Sequence, residues 1–128
     1  MLKNYKHIVW DWNGTLLNDV ELCVDIINKM LINRGLNLVT VEQYRNVFTF
    51  PVKDYYEALG FDFTKESFLV TGRQWMNEYE ARKSECNLFK GAKEALNKIK
   101  SMSLLDTKFV FLIDLSFLVN FFKNHLHN

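Results

Sequence analysis

The segment His7-Ile8-Val9-Trp10-Asp11 constrains the fold more than any other part of the chain: an apolar, β-branched run stops abruptly on a carboxylate, and Gly14 follows three residues later. A short apolar run bounded by a turn signal reads as a buried strand that delivers its last side chain to a loop. Ligands of open α/β sheets lie outside the carboxyl ends of the strands. Asp11 is therefore a candidate nucleophile or metal ligand. Gly14 permits backbone angles closed to other residues, and the amides of such a turn can converge on a phosphate.

The following residues are patterned for helices. Asn18 with Glu21 forms a capping signal, and Val20, Val24, Ile27 and Leu31 recur at three- and four-residue steps, so a helix is expected over about 19 to 34, closed by Gly35. Thr40 and Gln43 open a second helix, Pro51 a third that ends at Gly60, and Thr64 a fourth with Phe68, Trp75, Met76 and Tyr79 as its buried stripe. Residues 18 to 84 contain no convincing strand. Asn87 to Gly91 break the pattern, Ala92, Ala95, Leu96, Ile99 and Met102 restart it, and Lys108 to Ile113 read as a second buried strand. Asp114 or Ser116 would then cap a last helix.

Composition narrows the function classes. With 48% hydrophobic and 24% charged residues the chain is globular, and 128 residues suffice for one core. Its 16 Lys and Arg against 15 Asp and Glu, scattered along the chain, argue against a nucleic-acid partner, because phosphate neutralisation needs clustered cations. The most apolar stretch, Phe109 to Phe122, is interrupted by Asp114, Ser116 and Asn120, so no membrane segment is expected. Cys23 and Cys86 fit no metal-ligand spacing and imply a reducing, cytoplasmic setting.

The residues Asp11-Trp12-Asn13-Gly14-Thr15-Leu16 resemble the first motif of the haloacid dehalogenase-like phosphatases, which usually reads Asp-x-Asp-Gly-Thr/Val. The order of elements is similar too: a strand into the nucleophile loop, a helical insertion, then a helix and a second strand. Phe50 to Tyr56 and Leu88 to Ala92 look like the cap and cap-exit segments of the phosphoglycolate phosphatase-like branch. The resemblance implies an α/β fold: an incomplete Rossmann-like core, 1–17 and 86–128, holding the first two parallel strands, with an inserted α-helical cap, 18–85. It also implies a phosphatase of small phosphorylated metabolites that works through an aspartyl-phosphate on Asp11. Gly14, Thr15 and Ser116 would bind the phosphate, and Mg²⁺ would be held by the Asp11 carboxylate and the Asn13 main-chain carbonyl.

Two departures from the family pattern shape what is expected of this chain. Asn13 stands where the family has its proton-shuttling aspartate, and an amide cannot exchange that proton, so a general acid–base contribution typically worth about 10² to 10⁴ in rate is lost. Asp114 is either a substitute acid or a helix cap. The family's charge-balancing lysine or arginine and its metal-completing acidic pair lie on later strands, and this chain stops at Asn128. The expectation is thus a C-terminally shortened member: an impaired phosphatase, a catalytically inactive relative, or an interaction module that self-associates through the uncovered sheet edge beside residues 7 to 11.

Overall fold

A computed structural model describes residues 7–101 and 108–112. The chain is mixed α/β and mostly helical. In order, β1 (His7–Asp11), β2 (Leu17–Asn18), α1 (Val20–Ile32), α2 (Val41–Val47), α3 (Val52–Ala58), α4 (Phe68–Arg82), β3 (Asn87–Leu88), α5 (Ala92–Ser101) and β4 (Lys108–Leu112) follow one another. They divide into two compact units, one formed within Met1–Asp19 and Cys86–Asn128, the other Val20–Glu85.

The first unit carries the strands. β1 and β4 pair in parallel, His7 opposite Lys108 and Asp11 opposite Leu112. A parallel pair cannot be closed by a tight turn, so the chain between them must make a long crossover, and α5 lies on that path. β2 and β3 form a second, antiparallel pair of two residues each, Leu17 opposite Leu88 and Asn18 opposite Asn87. The Phe89 N–H adds a bond to the Leu16 carbonyl at 2.9 Å, which continues this ladder. The pair was not expected, and it corrects the reading of Asn18. Its backbone belongs to a strand, so α1 starts one residue later and Asp19 takes the position before the helix.

The second unit is helical. In α1, Ile27 and Leu31 are fully buried, each worth about 1.5–3 kcal/mol on removal from water; Leu22 and Ile26 are buried as well, so the covered surface is broader than one stripe. The Thr40 and Gln43 capping box forms as expected: the Gln43 N–H donates to Thr40 Oγ1 at 3.1 Å, and the Thr40 N–H donates to Gln43 Oε1 at 2.8 Å. The end of α3 is closed by Gly60 at φ +97, with the Phe61 N–H reaching back to the Tyr56 carbonyl at 3.1 Å. The same reversal stacks the Phe61 ring on Tyr56 at 5.0 Å, the apolar contact that accompanies such a helix end.

The start of α4 differs from expectation. Thr64 is held by Asp62, whose Oδ1 accepts the Thr64 N–H at 3.0 Å. Ser67 caps the helix instead, its hydroxyl oxygen accepting the Val70 N–H at 3.4 Å. The buried residues of α4 are Thr71, Trp75 and Tyr79, at steps of four, while Phe68 and Met76 are half-buried. Tyr55 and Tyr56 are also buried, and Phe48 packs on Tyr55 at 5.1 Å, so these aromatics serve the core of the helical unit. Among the described residues, no helix is long and apolar enough to cross a membrane.

Candidate active site

The site grows out of the end of β1. Asp11 is the last residue of that strand, is exposed, and opens a turn knotted around one carbonyl. The Trp12 carbonyl accepts N–H groups from Thr15 at 3.3 Å, Leu16 at 3.0 Å and Leu17 at 2.8 Å. Folding three amides onto one oxygen forces the chain back on itself, and Gly14 supplies the residue that can do so, at φ +69. Its own N–H donates to the Leu17 carbonyl at 3.0 Å.

This turn brings Asp11, Asn13, Gly14 and Thr15 together; the strand-to-loop pattern singles out Asp11 and Gly14, and the motif resemblance adds Asn13 and Thr15. The Asp11 carboxylate is fixed at both oxygens: Oδ1 accepts the Trp12 N–H at 2.9 Å and Oδ2 accepts the Thr15 hydroxyl at 3.1 Å. Each carboxylate oxygen has a second lone-pair direction, so one donor per oxygen orients the group and leaves it able to attack or to bind a cation. An exposed, oriented carboxylate at a strand terminus is chemically a nucleophile or a ligand.

Asp19 is a participant that sequence reading missed. Its side chain is buried, 2% exposed, yet it belongs to the loop: Oδ1 accepts the Gly14 N–H at 2.8 Å and Oδ2 accepts Asn13 Nδ2 at 2.6 Å. An aspartate just ahead of an apolar helix is itself a capping signal, which could have drawn attention to it. Its bond to Asn13, six residues away, has no counterpart in sequence periodicity.

The oxygen donors suit a hard cation. Mg²⁺ takes oxygen ligands and retains several waters, commonly using one or two carboxylates plus substrate phosphate. The Asp11 carboxylate and the Asn13 main-chain carbonyl are donors of that kind, and the remaining positions would fall to water and phosphate. No group of three or more His, Cys, Asp or Glu side chains is assembled for a metal among the described residues. Ser116 and Asp114 lie outside the described residues.

With this geometry in hand, comparison with known proteins gives one positive finding. The sequence profile of the haloacid dehalogenase-like hydrolases matches residues 8–105. No curated protein and no solved structure matches the chain.

Proposed function

Because the chain belongs to the haloacid dehalogenase-like hydrolase family, whose members share a Rossmann-like core, we propose that it is a phosphatase-type hydrolase of small phosphorylated metabolites, of the phosphoglycolate phosphatase-like kind, with Asp11 as nucleophile. The observation that carries this reading is the double anchoring of Asp11 by the Trp12 N–H and the Thr15 hydroxyl at the end of β1.

In this reading an Asp11 oxygen attacks phosphorus, the bond to the departing alkoxide or phenoxide breaks, and an aspartyl-phosphate remains. Water then attacks that phosphorus, releasing inorganic phosphate and restoring the carboxylate. Two displacements through a covalent intermediate replace one harder step. The Thr15 hydroxyl and Trp12 amide hold the nucleophile in line, and the Gly14 turn brings main-chain groups close to the phosphate. Mg²⁺ at Asp11 and the Asn13 carbonyl would offset the mutual repulsion of carboxylate and phosphate. The Val20–Glu85 unit is inserted in sequence after the loop, at the position where the family carries its cap.

Asn13 favours a second reading, a family member with little or no turnover. Its amide cannot protonate a leaving group, and its Nδ2 is engaged by Asp19. The two readings separate in one experiment: phosphate release from an aryl phosphate, with Mg²⁺ and with chelator, by the chain and by D11N. An aryl leaving group needs little protonation, so the phosphatase reading predicts release that requires both the metal and Asp11. Release that survives D11N, or none at all from a folded chain, overturns it.

A further inference from the structure

The carboxylate that holds Asn13 dictates what can stand at position 13. Asp19 receives Asn13 Nδ2 at 2.6 Å on one oxygen and the Gly14 N–H at 2.8 Å on the other. It does so at 2% exposure, where a polar group that loses its partner cannot turn to water instead. A carboxylate accepts and an amide nitrogen donates, so the side chain facing Asp19 must offer a donor, which Asn13 Nδ2 supplies. An aspartate at 13 would set two carboxylates at hydrogen-bond distance with no proton between them, an arrangement both groups resist.

We propose that Asp19 is the positioning residue of this loop: it fixes the side chain at 13, and the amide and the carboxylate of the pair can exchange places. With N13D and D19N combined, the amide introduced at 19 donates to the carboxylate introduced at 13, and its oxygen still accepts the Gly14 N–H. The two bonds of Asp19 are kept, with donor and acceptor exchanged in the one to position 13. The inference does not depend on the phosphatase reading.

The test compares N13D, D19N, the N13D/D19N double variant and the parent chain. Each is assayed by thermal unfolding, with far-ultraviolet circular dichroism as the check that it folds. N13D is expected to melt about 5 °C or more below the parent, and the double variant to return to within about 2 °C of it. D19N closes the cycle: the double variant should melt above the temperature that the sum of the two single shifts gives, and the excess measures the pair itself. An N13D protein that melts with the parent, or a double variant no more stable than N13D, overturns the positioning role.

Discussion

The Thr15 hydroxyl donates to Asp11 Oδ2 at 3.1 Å across a turn of four residues. This bond sets the rotamer of the proposed nucleophile, and misplacement of a reacting group by about 1 Å can cost about 10²-fold in rate. T15A should therefore lower aryl phosphate release by roughly 10- to 100-fold, while T15S, which retains the hydroxyl, should stay close to the parent. Both residues are exposed, so the melting temperature should hardly move in either variant. A T15A protein with parental turnover would show that the Trp12 amide alone suffices to orient Asp11.

Why the strand-to-loop site was legible and its support was not comes down to the range of the forces involved. The candidate residues Asp11 and Gly14 belong to a local pattern, an apolar run ended by a carboxylate and a glycine turn; Thr15 comes with the motif resemblance, and the structure gathers all three within one turn. The capping box at Thr40 and Gln43 is equally local. The β2 and β3 pair is not: two residues per strand carry no period, and Leu17 meets Leu88 only through long-range folding. That pairing withdraws Asn18 from its expected cap and leaves Asp19 at the helix start, where it binds Asn13. Thr64 fails as a cap for a local reason that periodicity does not show: its amide and its hydroxyl both donate to Asp62, and the helix begins at Phe68 with Ser67 as its cap.

The stability of the helical unit is expected to depend on one aromatic stack. Trp75 and Tyr79 are buried one turn apart on α4, with ring centroids 5.1 Å apart and planes inclined by 11°. W75A removes the larger ring and leaves a cavity, so unfolding free energy from denaturant titration should fall by about 3–5 kcal/mol. L69A on the same helix, where the side chain is 65% exposed, should change it by no more than about 0.5 kcal/mol. Equal effects at the two positions would place the core of the unit elsewhere.

Acid should weaken the helical unit through Glu66. Its carboxyl is held below the ordinary carboxylate range, first by the hydrogen bond from Arg34, against which burial works; the Thr71 hydroxyl and the Arg34 charge lower it further, and nearby Asp62 opposes. Arg34 grips it with two nitrogens, Nε to Oε1 at 2.8 Å and Nη2 to Oε2 at 2.6 Å, and its guanidinium also lies 4.8 Å from the Phe61 ring centroid. A carboxyl whose folded pKa is depressed contributes stability that is fully present above the unfolded value, about 4.3 for Glu, and that drains away as the pH falls through the folded value. E66Q keeps an acceptor but removes the charge, so it should cost about 1–2 kcal/mol at pH 7 and flatten the loss of stability below about pH 4. Asp62, lowered to about 2 by hydrogen bonds from Lys65 and Thr64, adds an acid limb of its own; D62N removes that limb and also the charge that opposes Glu66 ionisation, so the Glu66 contribution should persist or grow in it. Denaturant titrations between neutral pH and pH 3 decide the matter: an acid limb in E66Q as steep as in the parent would assign the pH dependence to other carboxylates.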